Sequence, residues 1–436
     1  MKFEKIKLKE VLNQYRNNFF IDDSEIYRQV RISQTGKVSF RGEKLGAEIG
    51  RKRQFYVNLK EHPNTLIFIR QGVMNGGIGI CPQEVDGCIV TENMPMFEIV
   101  NIESEYLINY IHSSLFKKDI SRLVPTGTAQ KAIHERQLLE LEIPLPSIEN
   151  QKYAVKKINS IKNEISELEN KNKKDLTLIK KLRQSILSDA VSGKLVSQDP
   201  NDESVKILLE RIKKEKEKLI SEKKIKKEKP LPKIEEHEIP YELPKGWAWC
   251  RLGKVVGYGQ CPKINAENIS DNEWVLDLED IEKITSRLIS KKRFNEKESK
   301  STKNKFSKGD VLYGKLRPYL DKTIIADEDG YCTTEILPIK IYKNLIENKY
   351  LKLFLKNPNF IKYVNDITYG IKMPRLGTED ARKTLFPLPS LSEQKRIIAK
   401  VDKLMKLCNL LEKKVKENEK DIEKLMDSVL REVFSD

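Results

Sequence analysis

The sequence predicts two α/β globular domains, each followed by a long α-helix, in a chain that contains one internal repeat. Three observations support this fold class. A Pro-Leu-Pro-Ser motif occurs at residues 144–147 and again at 387–390. Each motif precedes a polar segment whose apolar residues recur in steps of three and four, which is typical of a helix that buries one narrow stripe. Short matches, such as Asp86-Gly87 with Asp329-Gly330, recur at the same spacing before the motifs.

A serine stands at the predicted start of each long helix. Ser390 and Glu393 have the spacing of a capping box, and Ser147 with Asn150 is a weaker version of it. Gly193 is a natural stop for the first helix, because glycine readily adopts the left-handed backbone that ends many helices. The first helix is therefore expected to span about 70 Å, at about 1.5 Å per residue.

The apolar positions of the two helices share one heptad phase, which predicts an a/d seam. The predicted seam residues are Ile158, Ile161, Ile165, Leu168, Ile179, Leu182 and Ile186 in the first helix, and Val401, Leu404, Cys408, Leu411, Val415, Ile422, Leu425 and Val429 in the second. Two equal, charged helices favour an antiparallel coiled coil with each other over the alternative, an ordinary amphipathic helix on a globular core. Asn172, Asp175 and Asn418 fall at core positions. In an antiparallel pair Asp175 and Asn418 lie near the crossing point, where we expect them to fix the register.

The composition favours a nucleic-acid partner. The chain has 436 residues, of which 33% are charged, a net charge of +16 and a pI near 9.2. A basic surface raises both affinity and encounter rate for polyanions. The six cysteines show no CxxC spacing, the amino terminus lacks the apolar segment of a signal peptide, and no apolar run approaches membrane-spanning length. We therefore expect a cytoplasmic protein with free thiols.

Sequence motifs for catalysis and metal binding are missing. There is no GxxxxGKS phosphate loop and no HExxH, and the four histidines have spacings that fit no metal site. Gly77-Ile78-Gly79 is an isolated GxG that we assign to a turn. The sequence therefore predicts no catalytic residue and no metal ligand, and it favours a binding function.

Basic and polar residues cluster in the loops of both predicted domains. The candidate DNA-contacting residues are Arg41, Arg51, Arg53, Arg70, Gln71, Asn75, Thr126, Thr128, Gln130 and Lys131 in the first domain, and Lys315, Arg317, Tyr319, Tyr369, Lys372 and Arg375 in the second. Arginine, lysine, glutamine and asparagine pair with guanine or adenine edges, whereas serine, threonine and tyrosine often hold phosphates. The alternative is that these residues only keep the surface soluble.

The order of these features resembles the DNA-specificity subunit of type I restriction-modification systems over the whole chain. The repeated motif with its helix and the Leu243-Pro244-Lys245-Gly246-Trp247 entry to the second domain carry the resemblance. The first domain departs from this pattern, because it starts at Lys5-Ile6-Lys7-Leu8 without that entry. The resemblance implies target-recognition domain 1 (1–142), conserved helical region 1 (143–198), a charged helix with a proline-rich linker (199–242), target-recognition domain 2 (243–388) and conserved helical region 2 (389–436).

The resemblance also implies a function and partners. Each domain would read one half-site of a bipartite, asymmetric double-stranded DNA target, and the chain itself would not be an enzyme. Its helices would dock two methyltransferase subunits, with Tyr153, Leu176 and Leu178 as candidate docking residues, and restriction subunits would join through the complex. Those partners would use S-adenosylmethionine, ATP and Mg for adenine-N6 methylation and DNA cleavage. The alternatives are a coiled-coil scaffold without DNA specificity, the specificity subunit of a related type II-like restriction system, and a self-sufficient nuclease or methyltransferase with degenerate motifs.

Overall fold

A computed structural model of the protein describes residues 4–125, 132–297, 299–343, 345–368 and 372–435. The chain forms two compact units. Unit 1 consists of Met1–Lys174 and Val415–Asp436, and unit 2 consists of Asp175–Lys414.

The described residues of the globular part of unit 1 form short strands and three α-helices. In chain order these elements are β1 (Glu4–Lys7), β2 (Leu12–Tyr15), β3 (Asn18–Phe20), β4 (Ile26–Ile32), β5 (Val38–Leu45), β6 (Arg53–Tyr56), β7 (Thr65–Phe68), β8 (Ile78–Ile80), β9 (Ile89–Val90), β10 (Met96–Ile99), α1 (Ser104–Ile111), α2 (Ser114–Ile120), α3 (Glu135–Leu139) and β11 (Glu142–Leu145). The long helix α4 (Ile148–Ser192) follows.

The strands of unit 1 form two main sheets and a separate pair. One sheet has the order β2-β10-β7-β8, the other has the order β3-β6-β9-β4-β5, and β1 pairs with β11. All neighbouring strands are antiparallel except β4 and β9. Strand β7 is buried on both faces, because Leu66 and Phe68 pack with Tyr106 of α1, while Ile67 packs with Phe55 of the five-stranded sheet.

Unit 2 repeats this architecture. Its elements after α4 are α5 (Val205–Ser221), β12 (Ala248–Arg251), α6 (Leu252–Val255), β13 (Val256–Tyr258), β14 (Lys263–Ile264), β15 (Trp274–Leu276), β16 (Lys292–Arg293), β17 (Lys303–Phe306), β18 (Val311–Gly314), β19 (Thr323–Ile325), β20 (Gly330–Thr333), β21 (Ile336–Ile341), α7 (Asn348–Leu355), α8 (Pro358–Ile367), α9 (Thr378–Lys383), β22 (Leu385–Leu388) and α10 (Leu391–Phe434). The sheet orders are β13-β21-β18-β19 and β14-β17-β20-β15-β16, with β12 paired to β22. Each sheet matches its unit 1 counterpart strand for strand, which confirms the predicted internal repeat.

A buried glutamine joins the start of each long helix to its globular domain. The side chain of Gln151 accepts a hydrogen bond from the Glu103 amide at 2.8 Å, and it donates one at 2.8 Å to a carbonyl of the preceding proline motif. Gln394 makes the same two bonds, to the Glu347 amide at 2.8 Å and to its own proline motif at 3.2 Å. The two motifs thus place the long helices by the same contacts.

Helices α4 and α10 run antiparallel, as the sequence predicts. In unit 1 the start of α4 lies beside the end of α10, where the Lys157 ammonium and the Glu432 carboxylate are 2.8 Å apart. In unit 2 the end of α4 lies beside the start of α10, where Arg183 and Glu412 are 2.8 Å apart.

The seam between these helices is narrower than predicted. Every seventh residue is buried, namely Gln151, Ile158, Ile165, Asn172, Ile179 and Ile186 in α4, and Gln394, Val401, Cys408, Val415, Ile422 and Val429 in α10. Ile161 and Leu404 are half-buried. The expectation of burial is wrong for Leu168, Leu182, Leu411 and Leu425, which are 44–47% exposed. The helices meet along this one row of positions. The second row stands three residues after the first and includes Leu168, Leu182, Leu411 and Leu425, and it lies at the edge of the contact.

The three polar residues predicted in the seam also divide between the buried row and the second row. Asn172 is buried, as expected, and its side-chain Nδ2 has no hydrogen-bond partner. Asp175 is only half-buried and Asn418 is exposed, so the prediction that both are core residues is wrong. Each of the two stands three residues after a buried position and therefore falls in the second row.

Three other sequence expectations concern the charged helix, the cysteines and the membrane. The charged segment before domain 2 forms α5, whose apolar stripe is buried at Val205, Leu208 and Ile212. All six cysteines are free, as predicted. In the described part of the chain, no helix has both the length and the apolar character that a membrane span requires.

Candidate nucleic-acid interface

Unit 2 brings together the two loops in which the sequence predicts DNA contacts. The β18 loop (residues 315–322) follows the central strand β18, and its Arg317 amide donates to the Pro374 carbonyl at 2.7 Å. The Leu376 amide donates to the Lys315 carbonyl at 3.0 Å. Two segments that are distant in the chain therefore lie side by side at one end of β18.

The β18 loop has an unusual backbone. Arg317 and Asp321 both have left-handed φ angles, of 50° and 49°, on either side of a 3-10 turn at Pro318–Leu320. Such a conformation costs on the order of 1–2 kcal/mol per non-glycine residue, so it persists only where surrounding contacts hold it. Arg317 is exposed and Tyr319 is 49% exposed. The loop therefore presents a cation and an aromatic ring to solvent on a fixed backbone.

The other predicted cations of unit 2 differ in their surroundings. Arg375 binds Glu335 through two guanidinium nitrogens, with Nε at 3.1 Å from both carboxylate oxygens and Nη2 at 3.0 Å from Oε1. This ion pair gives Arg375 a structural role in the loop contact. Lys315 is half-buried, whereas Lys372 is exposed. Tyr369 lies outside the described residues.

Unit 1 has the corresponding loop, the β7 loop (residues 69–77), and it contains a similar ion pair. Arg70 donates from Nε to Glu135 Oε2 at 3.0 Å and also bonds Oε1 through Nη2. Burial alone would raise the pKa of Glu135, but the hydrogen bonds and charge of Arg70, together with hydrogen bonds from the backbone and Gln14, lower the pKa below its usual value. The Ile133 amide donates to the Arg70 carbonyl at 2.9 Å, as the Leu376 amide does to Lys315 in unit 2.

The rim of the unit 1 site is formed by polar residues. Gln71 and Asn75 are exposed in the β7 loop. Four further candidate residues lie in the chain between Pro125 and Ala132. Thr126, Thr128, Gln130 and Lys131 all lie outside the described residues.

Three further predicted arginines lie on or next to the five-stranded sheet and not on the β7 loop. Arg41 is exposed on β5 and Arg53 is exposed on β6. Strands β9 and β4 separate those two strands, which places them roughly 14 Å apart at about 4.8 Å per strand. Arg51 forms an exposed ion pair with Glu92 at 2.5 Å. The cluster that the sequence suggested for these residues is therefore divided by the sheet.

The sequence did not reveal the charged residues that support the β18 loop. Lys356, directly after α7, donates from its ammonium group to Asp321 Oδ2 at 2.6 Å. Their side chains are 15% and 10% exposed. Asp321 follows the Arg317–Tyr319 cluster and could have been noticed there, but its partner lies 35 residues further along the chain.

Comparisons with known proteins identify the family. The family model described as the type I restriction modification DNA specificity domain matches residues 1–178 and 244–419. The chain therefore belongs to this family, as the resemblance in its sequence predicts.

The most similar curated relatives include two specificity subunits from Escherichia coli. The chain is 38% identical to the type I restriction enzyme EcoAI specificity subunit and 35% identical to the EcoEI specificity subunit, each over 251 residues. Each match covers 55% of this chain and 41% of the relative, so less than half of either relative is represented. The MjaVIII specificity subunit of Methanocaldococcus jannaschii is 26% identical over 44% of this chain and 46% of its own length.

Solved structures share the fold. A chain from a structural study of complex assembly and conformational transition of the type I R-M system aligns with a TM-score of 0.63 and 17% identity, covering 100% of this chain and 99% of that one. The HsdS subunit from Thermoanaerobacter tengcongensis aligns with a TM-score of 0.56 and 20% identity, covering 99% and 96%. At these identities the likeness concerns the fold.

Proposed function

We propose that this chain is the DNA-specificity subunit of a type I restriction-modification complex. It would read a bipartite, asymmetric double-stranded DNA target, with one half-site for each unit, and would carry no catalytic residue of its own. One observation above all supports the proposal. The two units share one strand order. The β7 loop contacts the segment before α3 in unit 1, and the β18 loop contacts the segment before α9 in unit 2. The exposed side chains of the two loops differ.

The exposed side chains suit the recognition of different bases. In unit 2, Arg317 and Lys372 are donors of the kind that pair with guanine O6 and N7, and Tyr319 can hold a phosphate or stack on a base. In unit 1, Gln71 and Asn75 are amides of the kind that pair bidentately with adenine. Two unlike sets of donors on one scaffold predict two unlike half-sites.

The long helices are the proposed docking surface for two methyltransferase subunits. Tyr153 and Leu178 are 71% and 51% exposed, and Leu176 is half-buried. The exposed second row of the helices adds apolar surface of the kind that marks protein interaction sites. The methyltransferase would bring S-adenosylmethionine to a flipped adenine, and restriction subunits would join the complex through it with ATP and Mg.

Selection of bound sequences from a pool of random DNA duplexes tests the proposal. The purified chain, alone and together with its methyltransferase, should enrich two unlike half-sites at a fixed spacing. Its affinity should fall steeply with salt, because phosphate contacts release counterions. A coiled-coil scaffold would enrich no sequence and would be nearly indifferent to DNA, which would overturn the proposal. Co-purification with an ATP-dependent restriction subunit would separate a type I system from a type II-like one.

A further inference from the structure

A buried lysine joins three segments beneath the β18 loop. Lys356 is the C-cap residue of α7. Its ammonium group donates to Asp321 Oδ2 at 2.6 Å, to Ser286 Oγ at 2.7 Å and to the Ile284 carbonyl at 2.8 Å. An ammonium group has three hydrogens to donate, so these bonds use all of them. The lysine thereby links α7, the β18 loop and the hairpin tip between β15 and β16 (residues 281–288).

The hairpin tip and the β18 loop also bond each other directly. The Ser286 hydroxyl donates to the Asp321 carbonyl at 2.7 Å and accepts from the Thr323 amide at 3.1 Å. The Ile284 amide donates to the Leu320 carbonyl at 2.8 Å. The position of the hairpin tip and the shape of the β18 loop are therefore coupled through a few polar atoms.

Backbone strain is concentrated at this contact. Seven non-glycine residues in the described parts of the chain have a left-handed φ, and four of them, Ile284, Ser286, Arg317 and Asp321, lie in these two segments. The conformation is least favourable for Ile284, because its side chain is β-branched. Residues in such conformations stay there only when their surroundings hold them, which the bonds of Lys356 and Ser286 do.

Unit 1 places a different side chain at the equivalent position. His112 is the C-cap residue of α1, and its Nε2 donates to the Ile78 carbonyl at 3.1 Å. Gly36, in the turn between β4 and β5, packs so closely that a Cβ atom there would collide with the His112 ring and the Ile78 carbonyl. The C-cap side chain of this helix thus contacts the tip of the five-stranded sheet in both units, through hydrogen bonds in unit 2 and through packing against Gly36 in unit 1.

We propose that the C-cap side chain, Lys356 in unit 2 and His112 in unit 1, is a positioning residue for base selection. Lys356 fixes the hairpin tip against the β18 loop and so sets the direction in which Arg317 and Tyr319 meet the DNA. The inference rests on the proposed function of that loop. It adds residues that touch no DNA but determine which bases are preferred.

The chemistry of the site favours a fixed geometry over a mobile one. Burial raises the pKa of Asp321 to about 6 and lowers the pKa of Lys356, although the attraction between the two opposes both shifts. Asp321 Oδ1 has no hydrogen-bond partner, and burial also lowers the pKa of the nearby Lys352. Removal of Lys356 would leave the buried Asp321 carboxylate without the ammonium group that donates to its Oδ2 atom. The β18 loop would then move until water could hydrate the carboxylate.

Three single variants of the full-length chain, and the double variant Lys356→Met/Asp321→Asn, test the inference. Lys356→Met removes the positioning charge, and Asp321→Asn removes the ion pair with almost no change of shape. Lys349→Met is the matched control, because Lys349 lies on the same helix and forms an exposed ion pair with Asp402 at 3.0 Å. Each variant, with its methyltransferase, would select sequences from random duplexes beside the unaltered chain, and its thermal unfolding would be recorded.

Lys356→Met and Asp321→Asn should each weaken base discrimination in the second half-site by about tenfold, the size of one good base contact, and leave the first half-site unchanged. The double variant should lose no more than Lys356→Met alone, because Lys356→Met already removes the ion pair that Asp321→Asn removes. Lys349→Met should select the original sequence. If Lys356→Met does not fold, Asp321→Asn alone decides the question.

Two results would overturn the inference. One is that folded variants select both half-sites with unaltered base preferences. The other is that both half-sites weaken equally, because that is the result of a merely structural role. If instead the unaltered chain selects no sequence, the proposed function fails, and the inference fails with it.

Discussion

At the scale of single residues, Arg317 and Arg375 lie on adjacent loops of unit 2 but have different surroundings. Arg375 is held by the Glu335 carboxylate, whereas Arg317 is exposed. Arg70 of unit 1 resembles Arg375, because Glu135 binds it. An arginine that is fixed by a carboxylate orders the loop, and an exposed one remains available to a ligand.

The sequence predicts the loops but not these roles. Basic residues beside glycine and proline mark the loops, and that signal is local in the chain. Glu135 and Glu335 lie 65 and 40 residues from their arginines, and nothing in the local pattern connects them. The support of the β18 loop by Lys356 was missed for the same reason, since folding alone brings that lysine to Asp321.

The Arg70 ion pair should be important for stability. Arg70→Ala would leave the largely buried Glu135 carboxylate without its main partner, and breaking such a pair costs about 3 kcal/mol. Arg51→Ala is the matched control in the same unit, because its exposed pair with Glu92 is worth at most about 1 kcal/mol. Urea unfolding of both variants measures the difference. Equal losses of stability would contradict the structural role of Arg70.

At the scale of elements, the long helices were the most predictable part of the chain. The predicted stop at Gly193 and start near Ser147 agree with α4 at Ile148–Ser192, because caps and heptads are local signals. The width of the seam was not predictable. Heptad spacing identifies the apolar positions that could face a partner helix. The distance and rotation of that helix decide whether one row of these positions or both rows are buried.

The strand order of the two units also could not be predicted from the sequence. The sequence matches between them fall at short turn-like positions such as Asp86-Gly87 and Asp329-Gly330. Gly87 has a left-handed φ of 72°, which few other residues adopt, so a turn restricts its sequence strongly. A buried strand accepts many apolar residues, and its sequence can change while its neighbours in the sheet stay the same.

Asn172 offers a test at this scale. Its buried Nδ2 has no partner, and the equivalent position of α10 is Val415. Asn172→Val should raise the free energy of unfolding by about 1 kcal/mol, because an unsatisfied buried polar group is removed. Asn418→Val, at an exposed position of the second row, is the control and should change it little. A clear loss of stability in Asn172→Val, measured by urea unfolding, would show that the amide has a partner in solution.

At the scale of the whole molecule, one polypeptide carries two units of the same strand order with different exposed side chains. If the chain binds DNA as proposed, its net charge of +16 would supply an affinity that does not depend on sequence. Discrimination must then come from the few side chains that reach base edges. If each unit reads its own half-site, a substitution in one unit should leave the preference of the other intact.

Arg317→Ala in unit 2 and Asn75→Ala in unit 1 test this independence. Each variant should lose about tenfold in discrimination at one half-site only, and the two should affect different half-sites, because each removes one base contact. Arg211→Ala removes the same charge as Arg317→Ala from an exposed ion pair on α5, so it should lower the affinity slightly and equally for all sequences. Fluorescence anisotropy with duplexes altered in one half-site at a time measures all three. A variant that weakened both half-sites alike would show that the units do not read DNA separately, and the shared strand order would then need another explanation.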